Sequence, residues 1–335
     1  MMRFLAALLL AGTFLRAQDD SAAMKQASDA LDHGYFDKAI VAFTTALQQN
    51  PKDVAALLGR GKAYAQKADS DKSAADKAIA DFTQVIALDP KNEKAWYEMG
   101  NTQYQKAFFG SKDEKQKAVD DFTHAIQLNP KDAEAWRMRG MAYGALFERQ
   151  KEIDDDTSAI QADPKYTAAW GDRGVNYANL HQYDKALADD TKAIALASRD
   201  EVAEYYDNRG DAYEESKDYA HAVADFTQAT QLQAYDSEPY ESLANLLATC
   251  PDSKVRDGKK AVAIATKAYE ISHEHSPQAL EALAAAYAET GDFDNAVKWQ
   301  TKWLATLGVP PAQDSRMKLY LAHKPYRDDG SDSDN

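Results

Sequence analysis

Cysteine is almost absent from this chain: among 335 residues only Cys250 carries a thiol. A single cysteine cannot close an internal disulfide, so no cross-linked framework is expected, and the lone thiol is either buried or a route to dimers. Positive charge is scarce beside negative charge. Lys and Arg number 39 against 54 Asp and Glu, a formal charge of −15. Neutralising a phosphate backbone needs a basic excess, so no nucleic-acid partner is expected. Long apolar runs are missing except near the start, where Phe4 to Leu15 follows Arg3. A positive residue ahead of such a run predicts a secretory signal peptide over 1–17, with cleavage near Ala17. The run is too short to span a bilayer as a helix. No membrane insertion is expected after cleavage, and the mature protein is expected to be secreted or periplasmic; an uncleaved N-terminal anchor stands as the alternative.

Catalytic signatures are missing too. The chain has no HExxH, GxSxG, P-loop or GxGxxG context. Its acids are spread evenly, and no pair stands out as general acid and base. His273 and His275 flank Glu274, but a spacing of two does not put them on one helix face. They precede Ser276-Pro277 at a helix end, where histidine is favourable in any case. No catalytic residue, no metal site and no cofactor is expected.

What the chain does contain is repetition. Pro51, Pro90, Pro130 and Pro164 sit in near-identical phrases, ALQQNPKD, VIALDPKN, AIQLNPKD and AIQADPKY. Proline suits such a place because it stops one helix and tolerates the loop before the next. Trp96, Trp136 and Trp170 share one slot early in three units, and Tyr206 and Tyr240 share it later. Between Thr167 and Leu196, Trp170, Gly174 and Tyr177 fall on one helical face. After a turn at His181-Gln182, Ala186, Leu187, Ala193 and Ile194 recur at helical spacing. Such a hairpin cannot bury its apolar faces alone and needs neighbours.

W-x3-G-x2-Y in Trp136-Gly140-Tyr143 and Trp170-Gly174-Tyr177, then A-x3-F-x2-A-x4-P in Ala118-Phe122-Ala125-Pro130, resembles the tetratricopeptide repeat. The resemblance covers 21–309 as eight units at about 21–53, 54–92, 93–132, 133–166, 167–202, 203–236, 237–276 and 277–309. It implies an all-α fold, a right-handed superhelical solenoid of about eight helix hairpins. A capping helix is expected over 312–327, with Met317, Leu319, Tyr320 and Leu321 apolar, and a disordered acidic tail over 328–335. Several positions depart from the family pattern. Gln103 stands where Tyr is expected, Glu152 where a small residue belongs, and Asp156 and Asp190 replace the aromatic that Phe82, Phe122 and Phe226 supply. Units two and three carry extra residues between their helices, and Phe108-Phe109 in the second insertion either packs back on a neighbour or forms a contact knob.

Comparing the units with one another isolates two further sets. Arg60, Arg139, Arg173 and Arg209 precede the first-helix glycine, and the same units carry Asp81, Asp155, Asp189 and Asp225 in the second helix. An Arg–Asp pair bridging each hairpin is expected, because the guanidinium fork matches a carboxylate bidentately; binding of an anionic ligand by these arginines is the alternative. Unit three breaks the rule with Met99 opposite Asp121. The resemblance further implies that first helices line a concave groove. By spacing, Lys94, Tyr97 and Asn101, then Glu134, Arg137 and Met141, face it early in the chain, as do Gly171, Val175 and Ala178 in unit five. Glu204, Asp207, Asp211 and Glu214, then Glu238, Glu241 and Asn245, face it later. The groove is thus mixed at first and acidic toward its C-terminal end. The expected partner-binding residues are Tyr97, Asn101, Arg137, Asp207, Asp211, Glu214, Glu238 and Glu241. The implied function is a non-catalytic scaffold for a protein or peptide, basic in character, in an extracytoplasmic compartment. An accessory or substrate-delivery subunit of an enzyme complex and a structural homo-oligomer stand as alternatives.

Overall fold

The structure is a computed structural model that describes residues 22–68, 71–107 and 110–328. The expected signal peptide, the Phe108-Phe109 pair and the tail beyond Asp328 lie outside the described residues. Among these residues every regular element is a helix. None is long and apolar enough to cross a membrane. The chain divides into two compact units after Pro164.

The first unit holds four hairpins: α1 (22–32) with α2 (Phe36–Gln49), α3 (Val54–Lys67) with α4 (Lys72–Leu88), α5 (Glu93–Lys106) with α6 (Lys112–Leu128), and α7 (Ala133–Gly144) with α8 (Arg149–Ala162). The second unit holds four more: α9 (Thr167–Asn179) with α10 (Tyr183–Leu196), α11 (Val202–Glu215) with α12 (Tyr219–Leu232), α13 (Glu238–Thr249) with α14 (Gly258–Ile271), and α15 (Pro277–Glu289) with α16 (Phe293–Leu307). A 3₁₀ turn at Pro311–Gln313 and a short helix α17 (Ser315–Leu321) follow.

The proline phrases work as joints. Asn50, Asp89 and Asn129 end one helix, and Asp53, Asn92 and Asp132 cap the next by accepting from the amides of Ala56, Ala95 and Ala135. Each such cap contributes about 1 kcal/mol. The indole N–H of Trp96 donates to Pro90 O at 3.2 Å, and that of Trp136 to Pro130 O at 3.0 Å, tying the first helix to the joint before it. Within the hairpins, one residue of the turn is left-handed: Gly34, Phe147, His181, Lys217 and Gly291 all have φ between 56° and 83°.

The core is a ladder of rings against glycines. Phe82, Phe122 and Phe226 are fully buried. A Cβ on Gly61 would come within 2.5 Å of the Phe82 ring, and one on Gly210 within 2.6 Å of Phe226. In two units the ring is replaced by Asp156 and Asp190, each 1% exposed, and Asp190 reaches within 2.3 Å of where a Gly174 Cβ would lie. Glu152 does not disturb its helix: Gly144 lies beside its carboxylate and leaves room for it. The extra residues of units two and three lengthen their second helices, so α4 and α6 each have 17 residues while α8, α10 and α12 have 14.

The capping helix is shorter than 312–327. It stops at Leu321, His323 turns left-handed at φ 55°, and Lys324-Pro325 leads the chain out, because the residue before proline is disfavoured in the α region. The following segment packs back on the second unit. Tyr326 is buried with Ala284, Ala288 and Tyr320, and the Asp328 N–H donates to Thr249 O at 3.0 Å. Asp328 is therefore anchored, not part of a free tail. Cys250 is 1% exposed, which closes the dimer route for the folded chain.

Candidate partner-binding surface

The four Arg–Asp pairs lie inside the hairpins. Arg60 with Asp81, Arg139 with Asp155, Arg173 with Asp189 and Arg209 with Asp225 each make two parallel N–H to O bonds of 2.7–2.9 Å. Nη1 also donates to a threonine of the preceding second helix, to Thr44 from Arg60, to Thr123 from Arg139 and to Thr191 from Arg209. Aromatic rings lie against these guanidiniums: Trp136 is 4.8 Å from Arg139, Trp170 5.0 Å from Arg173 and Tyr206 5.5 Å from Arg209. In Arg139 and Arg209 the fork, the Nη1 and a face of the guanidinium are all engaged within the fold. Unit three uses Gln103 instead, whose Nε2 donates to Asp121 Oδ2 at 2.9 Å. Burial without a guanidinium pushes Asp121 up to about 7.

Among the early groove residues, Tyr97 is engaged within the fold. The Tyr97 hydroxyl donates to Glu134 Oε1 at 2.9 Å and its ring lies 5.8 Å from that of Phe122. Asn101 and Arg137 are half-buried. Gly171 does not face a groove: a Cβ there would come within 2.4 Å of the buried Tyr205 ring, so it is a packing residue between α9 and α11.

The later residues gather on the face formed by α11, α13 and α15. One hollow of about 230 Å³ is lined by Glu204, Asp207, Asp236 and Glu238, among others. A second, of about 600 Å³, is lined by Glu238, Glu241, Asn245, Ser276 and Glu281, among others. Asp236 and Glu238 border both. Asp207 is 8% exposed, and its Oδ1 is buried and accepts no hydrogen bond; the same holds for Glu241 Oε1 and Asn245 Oδ1. Burial, then the charges of Asp211, Glu238 and Asp236, pushes Asp207 up to about 8. Glu241 is raised by burial as well. Glu214 rises to about 7 through burial and the charges of Asp328, Glu215 and Asp207. Asp211 also rises to about 7, through loss of solvation and then Glu214, Glu215 and Glu238, although its side chain is exposed and water screens it most. Asp207 and Glu241 thus meet at adjoining hollows, whereas Tyr97, Asn101 and Arg137 lie in the other unit. Asp236 and Glu281 complete the site and were not read from the sequence. Glu281 repeats the register of Asp207 and Glu241 one unit later, a signal that was present; Asp236 lies in an irregular turn and had none.

No group of three or more metal-ligating side chains is placed to hold a metal ion among the described residues. Family models described as tetratricopeptide repeat match residues 24–93, 252–308 and, by a second model, 203–236. A search of curated proteins returns no match. Among solved structures, a tetratricopeptide repeat protein from Parabacteroides merdae superposes with a TM-score of 0.56 at 18% identity, over 80% of this chain and 99% of that one. PilF of Pseudomonas aeruginosa gives 0.55 at 14% identity, over 68% and 97%. The Cut9–Hcn1 hetero-tetramer of APC/C gives 0.57 at 17%, over 78% and 48%. At these identities the likeness is one of fold. Proteins of this repeat class act as scaffolds that bind proteins or peptides. Eight hairpins with shared joints, Gly–aromatic packing and these family matches make the chain a tetratricopeptide repeat protein.

Proposed function

We propose that the chain is a non-catalytic scaffold that holds a basic segment of another protein or peptide on the α11–α13–α15 face, outside the cytoplasm. The observation that carries this reading is Asp207, buried at the edge of an acid-lined hollow with an oxygen that accepts no hydrogen bond. Carboxylates gathered in a recess with low-dielectric walls focus a field that draws cations. The export half of the proposal rests on Arg3 and the apolar run after it.

The binding half is tested with a fluorescent Lys/Arg-rich peptide at low salt. Asp211→Lys is expected to weaken its binding about tenfold while leaving the circular dichroism spectrum in place. Equal affinity for the basic peptide and an acidic one of the same length would count against the proposal. Export is checked by N-terminal sequencing of protein recovered outside the cytoplasm, where a mature terminus near Gln18 is expected.

A further inference from the structure

Asp207, Glu241 and Glu281 occupy one register. Each stands three residues before the small residue of its first helix, Gly210, Ala244 or Ala284. They differ in their partners. Glu281 is filled by the chain itself: Arg316 of α17 donates through Nη1 to Glu281 Oε1, and its guanidinium lies 4.1 Å from the centre of the Tyr326 ring. Asp207 Oδ1 and Glu241 Oε1 are buried and accept no hydrogen bond, and among the described residues only serine hydroxyls reach the two carboxyl groups, Ser242 at Asp207 and Ser237 and Ser276 at Glu241. A buried carboxylate oxygen left without a donor is costly, and a guanidinium removes that cost better than water or a neutral donor. The hollow beside Glu241 also holds Asn245 Oδ1, another acceptor with no donor.

We propose that Asp207 and Glu241 each seat one arginine of an extended partner segment, in line with the chain's own Arg316 on Glu281. The proposal rests on the scaffold reading above and narrows it to two cationic side chains at a set spacing. Packed helices lie roughly 8–10 Å apart, and a polyproline-II segment advances about 3.1 Å per residue with three residues per turn, so arginines three positions apart share one side of the segment and reach from one acid to the next. Residues 329–335 supply no cation, because they contain acids and no base.

The test uses fluorescence anisotropy with the purified full chain and a labelled ten-residue Gly/Ser peptide carrying two arginines three positions apart. The two-arginine peptide is expected to bind about tenfold more tightly than either single-arginine peptide. Asp207→Asn and Glu241→Gln, which keep the shape of the side chains, are each expected to remove about that factor. Each variant should also become indifferent to loss of one particular arginine, and the two variants to different ones. Spermidine at equal concentration should leave the complex intact; tighter binding of spermidine than of the peptide overturns assignment to a polypeptide. If basic peptides bind but both variants match the parent, the two-seat proposal is wrong and the broader reading stands. If no basic peptide binds at all, the broader reading falls with it.

Discussion

One arginine side chain can hold three helices together. Arg60, Arg139 and Arg209 take an aspartate from their own hairpin and a threonine from the hairpin before, so hairpin closure and stacking depend on one side chain. Unit three shows what happens without it. Thr83 and Asp121 are in place, but Met99 stands between them, with the Thr83 hydroxyl 3.9 Å from its sulfur. Asp121 is left with an amide and titrates near 7. Met99→Arg is expected to complete the motif. Because a raised carboxylate pKa penalises folding increasingly as pH climbs above the unfolded value, the gain should be larger at pH 8 than at pH 5, about 1–3 kcal/mol at the higher pH. Urea unfolding at both pH values measures it, and no gain at pH 8 would sink the idea.

At the scale of elements, packing distance overrides helix propensity. Glycine in a helix costs about 1 kcal/mol relative to alanine, yet Gly171 sits in α9 because Tyr205 of α11 leaves no room for a Cβ. Gly171→Ala should therefore destabilise the protein by about 1–2 kcal/mol, the overpacking cost exceeding the propensity gain. A thermal melt of the variant decides it, and a rise in midpoint would show that the Tyr205 ring moves aside at no cost. The sequence revealed the hairpins and their joints because proline, caps and Gly–aromatic spacing are local signals. It misassigned Gly171, since spacing alone does not say whether a small residue faces a groove or a neighbouring helix. It also overran α17, whose apolar residues continue to Tyr326 while Pro325 ends the helix.

For the whole molecule, buried acids dominate the response to pH. Asp190, 1% exposed, is pushed to about 8 by burial and by the charges of Asp189, Asp211 and Asp225 against the opposing Arg209. Asp207 rises to about 8 beside Asp211, Glu238 and Asp236, and Asp121 to about 7. In each case the folded chain keeps a proton that the unfolded chain releases near pH 4. Stability is then fully present below that pH and is lost as pH climbs through the folded values. The melting midpoint is expected to fall by about 5 °C or more between pH 5 and pH 8, and a cation held at Asp207 should flatten that slope. Calorimetry at pH 5, 6.5 and 8 reads this directly, and a midpoint that climbs with pH would refute it.

Sequence alone determined the repeat, its hairpins and the Arg–Asp partnerships, because these rest on residues a fixed distance apart within one unit or repeated between units. It also carried the acidic bias of the later units. Only the tertiary structure decided which acids are buried without donors, since that depends on what packs above each side chain. It brought Arg316 onto Glu281 across 35 positions and left Asp207 and Glu241 with serine hydroxyls and no cation. A long-range contact of that kind follows from where the chain turns after α17, and no local pattern encodes it.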